Sequence, residues 1–325
     1  MENNLDAEAL LLQQLTNKKQ SFGKRLVQDM KKNWKLHLVI LPVIIFFLVF
    51  SYLPMIGIVT AFMDYRPARG IFKSDWVGFK NFTQLFTDEQ FGRVFRNTIV
   101  MALLNVTVGF AIPVIFALLL SEIKAKPLNR TIQVSSYLPY FVATVVVCNL
   151  VSTFLATDGV VTKMFVSLGL VEKGTDMLNE AKYFWAINTI VNIWQGMGYG
   201  AIVFTAAIQN VNNDLHEAAA LDGANRWQRM WHVTLPSILP MIITMFVLKV
   251  GLMFTTGFDN ILLLYRPVTY ETADVISTYT YRMSLGGGQQ FGYSAAVGLF
   301  QSVIATVLLV ASNALSRKLA KTSLF

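Results

Sequence analysis

Charge is scarce in this sequence of 325 residues: only 14% are Asp, Glu, Lys or Arg, where soluble domains carry about 25%. Such a chain lacks the polar side chains to cover a soluble surface of its size. It is 54% hydrophobic, with a mean hydropathy of +0.50. Cysteine is nearly absent. Cys148 stands alone, which excludes an intrachain disulfide, and inside an apolar run it reads as a small packing residue. The three histidines, His37, His216 and His232, have no metal-ligand spacing. No G-x-x-x-x-G-K-S/T and no H-E-x-x-H occurs. Gly196, Gly198 and Gly200 fall in an apolar run, Gly286 to Gly288 in a polar one, and neither set has a nucleotide-binding spacing. The sequence thus offers no catalytic set, no metal site and no cofactor site of its own. The net charge of +8 does not point to nucleic acid either, because the cations are spread between apolar blocks rather than gathered in one stripe.

What the sequence has is long apolar runs, six of them: residues 36–62, 98–120, 137–156, 183–208, 235–254 and 293–314. Each meets or approaches the roughly 20 residues a helix needs to cross the hydrocarbon core. Backbone groups must be satisfied internally there, which requires helices, and the period-two alternation of a membrane barrel is absent. The first run is too long for a signal-peptide core of about 7–15 residues and reads as a retained span. The expected fold is therefore all-α, a polytopic protein in a lipid bilayer with about six transmembrane helices. A tail over residues 1–35, a six-span domain over 36–316 and a second tail over 317–325 complete the organisation. Residues 10–15 could form an amphipathic helix or none. The segments that would share a side with both termini carry the larger share of Lys and Arg, which places the termini in the cytoplasm. Three long outward loops follow, at 63–97, 157–182 and 255–292, and loops of that length usually carry elements or function. Trp76, Phe79, Phe82, Phe86, Phe91 and Phe95 in the first fit either surface-lying segments or a packed cap over the helices.

The segment between the fourth and fifth runs, 212–236, is the most informative. Asn213 or Asp214 can cap a short helix, with Glu217 in its first turn, and Ala218, Ala219 and Ala220 favour that helix strongly. Gly223 ends or bends it. A second amphipathic turn with Trp227 and Trp231 leads to Leu235 and Pro236. Glu217-Ala218-Ala219, then Asp222-Gly223-Ala224, closed by Leu235-Pro236, resembles the EAA loop of binding-protein-dependent ABC importer permeases. The resemblance implies a type I ABC importer permease fold, with this loop as a cytoplasmic coupling helix that docks on an ATPase subunit. It also implies the partners: a second permease subunit, an ATPase dimer that binds ATP and Mg, and an extracytoplasmic solute-binding protein. Glu271 to Tyr279 with Tyr281-Arg282, and Ala296 to Phe300, are similar to a carbohydrate subgroup, of maltose-permease type, that imports aldouronate-, alginate- or rhamnogalacturonan-derived oligosaccharides.

Polar residues inside spans usually face a bundle interior or a water-filled path. Asn188, Asn192, Gln195 and Tyr199 fall at spacings of four, three and four, on one face of the fourth span. Amides and an aromatic suit a sugar's hydroxyls and ring faces, and the same residues would also serve as hydrogen bonds between helices. Lys249, well inside the fifth run, either snorkels to the outer surface or faces an aqueous cavity where it meets a uronate carboxylate. An ion-coupled secondary sugar transporter is the rival reading. It would need inverted repeats or an intramembrane carboxylate, and Glu122 and Asp259 sit only at the ends of runs.

Overall fold

A computed structural model describes residues 29–254 and 257–320; residues 10–15 lie outside it. The described residues fall into two units, divided between Val59 and Thr60. Within the first, helix α1 (Trp34–Phe47) buries none of its side chains. It carries Pro42, continues as a wider turn over Leu48–Tyr52 and then tightens over Leu53–Phe62, around Pro54. A stretch so apolar, with no buried residue from Trp34 to Tyr52, is suited to lipid or to another chain, not to water.

The second unit begins with a two-stranded antiparallel ribbon, β1 (Met63–Asp64) paired with β2 (Asp75–Trp76). Helix α2 (Lys80–Thr87) and the 33-residue helix α3 (Glu89–Ser121) follow. The run at 98–120 therefore belongs to a helix that starts earlier than the hydropathy predicts. Asp88 explains this, since its side chain accepts from the Gln90 amide and caps the helix at that point. Part of the expected first outer loop is thus helix. Phe91 is buried against Tyr279 and Tyr293, whereas Trp76, Phe79 and Phe86 are exposed.

Helix α4 (Lys126–Tyr137) lies between the second and third spans. The third span begins at Thr144 rather than 137, because Pro139 and the extended Val142 and Ala143 interrupt the helix. It comprises α5 (Thr144–Leu155) and α6 (Val160–Ser167). Helix α7 (Phe184–Gln209) follows, then α8 (Asn213–Leu221), α9 (Arg226–Arg229) and α10 (Leu235–Gly251). The segment expected as the third outer loop holds α11 (Phe258–Leu264), α12 (Tyr270–Ala273) and α13 (Ile276–Ser284), and α14 (Phe291–Ala320) closes the described chain.

Among the described residues, five helical stretches are long and apolar enough to cross a membrane: Trp34–Phe62, Glu89–Ser121, Thr144–Ser167, Arg226–Gly251 and Phe291–Lys318. Helix α7 has the length, about 39 Å at 26 residues. Asn188, Asn192 and Gln195 dilute its apolar character, and that dilution is the first structural sign of a polar path.

Hydrophobic transfer drives little association between helices inside lipid, so close approach and polar bonds must hold the spans together. Both are present. Helices α3 and α7 share the longest seam, where Phe110 meets Phe204 edge-on at 5.9 Å and Val114, Ala117 and Leu118 pack on Ala201. Gly198 lies so close to the Ser136 carbonyl of α4 that a Cβ there would fall 2.1 Å from the oxygen. No other residue fits without moving α4.

The outer segment is fastened by polar bonds. Asn97, fully buried on α3, donates to the carbonyls of Glu271 and Asp274 at 2.9 and 3.0 Å. The Thr98 hydroxyl accepts from the Ile276 amide at 2.9 Å. Arg282 pairs with the buried Asp274 at 2.5 Å and stacks over Tyr270. Tyr279 and Tyr293 both donate to Asp88, at 2.5 and 3.1 Å. Burial pushes the Asp88 carboxyl upward, but the Tyr279 hydroxyl, the Gln90 amide and the Tyr293 hydroxyl together hold it below the usual range. The Glu271 to Arg282 motif is thus a clamp that ties the outer segment to α3.

Candidate functional site

Two sites involve helix α7, one following its C-terminal end and one lying along its polar face. The first is segment 212–236, anchored by α7 before it and α10 after it. Asn212, not Asn213 or Asp214, caps α8, its side chain accepting from the Asp214 amide at 3.0 Å. The proline-free run Asn213 to Leu221 starts one residue earlier than expected. Glu217 therefore lies in the second turn, where its carboxylate accepts from Asn213 at 2.7 Å. Gly223 has φ +81°, a left-handed geometry that favours glycine. The chain reverses there, with the Ala224 amide donating to the Ala219 carbonyl at 2.9 Å. A reciprocal capping box between Asn225 and Gln228 starts the next helix. That helix runs through a wider turn at Met230–Thr234 into α10, so the fifth span starts at Arg226 rather than 235.

No residue of α8 is buried. Glu217, Ala218, Asp222 and Gly223 are exposed, Ala219 and Ala224 half-buried. Leu221 is 90% exposed, and Leu215, Trp227 and Trp231 are also open. The segment is capped at both of its helix starts yet presents uncovered apolar side chains, Leu215 and Leu221 before the fifth span and Trp227 and Trp231 at its start.

The second site is a pair of adjoining cavities on the polar face of α7. The first, about 570 Å³, lies among α3, α7 and α10 and is lined by Asn188, Asn192, Tyr199 and Lys249 together with Asn105 and Ser277. The other, about 600 Å³, is lined by Gln195, Asn192, Asn260, Asp259 and the 140–144 segment. Asn192, Gly196 and Gly257 border both. Three of the four residues picked by spacing thus line one cavity together with Lys249, and Gln195 lines its neighbour. Asn188 is only 6% exposed; its amide nitrogen meets the Met101 sulfur at 3.9 Å, while its oxygen has no hydrogen-bond partner. A buried acceptor left open at a cavity wall can receive a ligand donor without breaking an existing bond.

Asn192 does serve as an interhelical bond, and Gln195 bonds to the extended chain before α5. Asn192 accepts from Asn260 at 2.9 Å, and Gln195 donates to the Val142 carbonyl at 3.3 Å. Tyr199 stacks flat on Tyr140, 3.9 Å between centroids and 3° between planes, leaving an aromatic pair half open. Asn260 was not legible in the sequence, since only the fold of the outer segment brings it to Asn192. Lys249 needs a correction: α10 ends at Gly251, so this lysine occupies the last turn rather than a deep position. The last turn also suits a cation, because helix carbonyls point that way. None of the four ion pairs among the described residues includes it.

The family of binding-protein-dependent transport system inner membrane components matches residues 109–321. The chain is 37% identical to protein LplB of Bacillus subtilis (strain 168), over 91% of this chain and 92% of that one. It is 38% identical to the polygalacturonan/rhamnogalacturonan transport system permease protein YteP of the same organism, over 93% and 94%. Among solved structures, a bacterial ABC transporter involved in import of the acidic polysaccharide alginate has a chain with TM-score 0.83 and 40% identity. That match covers 91% of this chain and 99% of that chain. A second, the bacterial alginate ABC transporter in complex with an alginate pentasaccharide-bound periplasmic protein, gives TM-score 0.84 at 40% identity, over 92% and 100%.

Proposed function

This chain belongs to the family of binding-protein-dependent transport system inner membrane components, and from that premise we propose that it forms one half of the translocation path of an ATP-driven importer for acidic oligosaccharides. Family membership removes the ion-coupled alternative. Segment 212–236 is the coupling element: Glu217, Ala218, Ala219, Asp222, Gly223 and Ala224 enter the cleft of an ATPase subunit. The observation that carries this is a firmly capped helix with no buried residue and open apolar side chains, joined directly to two long helices. Exposed apolar clusters of this kind mark protein contacts.

The work is divided among subunits. A second permease completes the path, an ATPase dimer binds ATP and Mg, and an extracytoplasmic solute-binding protein delivers cargo. Both termini face the cytoplasm, with residues 1–35 and 317–325 as tails of the six-span domain. Closure of the ATPase dimer moves the two coupling helices, the spans rock, and the cavities change the side they face. The differential binding of ATP between the two states drives that shift. Asn188, with its open acceptor, and Asn192, Gln195 and Tyr199 take sugar hydroxyls and ring faces, while Lys249 attracts a carboxylate.

Reconstitution tests the whole. The assembled transporter in proteoliposomes, given ATP on the ATPase side and loaded binding protein on the other, is expected to accumulate labelled uronate oligosaccharide. Accumulation driven equally well by an ion gradient, without ATP, would contradict the proposal.

A further inference from the structure

Helix α4 carries Lys126, Asn129, Arg130 and Gln133 at positions i, i+3, i+4 and i+7, so two cations and two amides share one face. With Ile123 they line an open pocket of about 380 Å³, just beyond the end of the membrane-crossing helix α3 at Ser121. The amides are committed to structure. Asn129 donates to the Leu120 carbonyl at 2.8 Å and so ties α4 to the end of α3, while Gln133 donates to the Asn129 side-chain oxygen at 2.8 Å. The cations are not committed. No carboxylate lines the pocket, and neither Lys126 nor Arg130 takes part in the four ion pairs among the described residues; Glu122, the nearest acid in the chain, does not pair with them either. Two like charges four residues apart on a helix repel, and an anion between them reverses the sign.

We propose that this pocket holds the phosphate of an anionic phospholipid headgroup. Its position at the end of a span favours lipid over free phosphate, because basic pockets there meet the negative surface of the leaflet. The exposed Leu128, Val134 and Leu138 on the same segment supply the apolar side that the headgroup boundary requires. Arg130 can grip two phosphate oxygens with its fork, and Lys126 adds a point charge. The consequence reaches the cargo path, since the Ser136 carbonyl of α4 packs against Gly198 on α7, one residue from Tyr199. A lipid that steadies α4 steadies the polar face of α7.

The test uses the assembled transporter in nanodiscs of phosphatidylcholine with or without phosphatidylglycerol. Native mass spectrometry after partial delipidation is expected to find phosphatidylglycerol retained several-fold more by the unmodified protein than by a Lys126→Gln/Arg130→Gln variant. Millimolar inorganic phosphate should not displace it. On the unmodified protein alone, amine labelling of Lys126 should slow in phosphatidylglycerol discs relative to phosphatidylcholine discs. Equal retention by both proteins, displacement by free phosphate, or labelling independent of lipid charge would each overturn the proposal.

Discussion

Replacing Glu217 by lysine is expected to release the ATPase and reduce ATP-driven uptake by more than a hundred-fold, with the permease still folded. The folded state loses little, because Glu217 is exposed and its one described side-chain bond is to the neighbouring Asn213. Exposed substitutions away from caps and cores usually fall within about 0.5 kcal/mol. The interface loses much more, since truncating one partner of a buried charged contact costs about 2–5 kcal/mol, and reversing its sign adds repulsion. Glu217→Gln, which keeps the shape and one acceptor, should retain part of the affinity. Co-purification of the ATPase with each variant, beside melting temperature in detergent, separates loss of docking from loss of fold. Undiminished co-purification with Glu217→Lys would remove this segment from the coupling interface.

Lys249→Ala is expected to lower uptake of uronate oligosaccharides about ten- to a hundred-fold while assembly and basal ATP hydrolysis persist. That range follows from the roughly 1.5–3 kcal/mol of a hydrogen bond to a charged group. Lys249 lines the cavity among α3, α7 and α10 and joins none of the described ion pairs, so its loss leaves no orphaned carboxylate among them. Lys249→Arg should restore much of the transport, and neutral oligosaccharides of equal length should be little affected by either change. Initial uptake rates across substrate concentrations check this. Equal losses for neutral and acidic cargo would make the lysine a packing residue.

Much of this was legible in the sequence, for identifiable reasons. Apolar runs of about 20 residues have few structural outcomes, so five of the six expected spans appear as long apolar helices and the sixth as the long but more polar α7, though their edges were not legible. Asp88 moved the start of α3 and Asn225 that of the fifth span, because a cap outweighs hydropathy at a helix end. The Asn188 to Tyr199 face was visible because helical spacing is local. Asn260 was not, since its place beside Asn192 depends on how the outer segment folds back, a contact 68 positions apart in the chain. The Glu271 to Arg282 stretch looked like a signature of cargo class. In three dimensions it clamps the outer segment to α3 through Asn97 and Thr98, which no periodicity discloses.

Photo-crosslinking from residue 218 probes the coupling segment most directly. The chain has one cysteine, Cys148, and it is buried, so Ala218→Cys supplies the accessible thiol without removing a native one. A benzophenone maleimide placed there in the assembled transporter is expected to yield, on illumination, an adduct with the ATPase subunit whose amount changes when ATP is added. Adducts with lipid or with the extracytoplasmic binding protein, and none with the ATPase, would contradict the assignment of segment 212–236 as the part that couples ATP to transport.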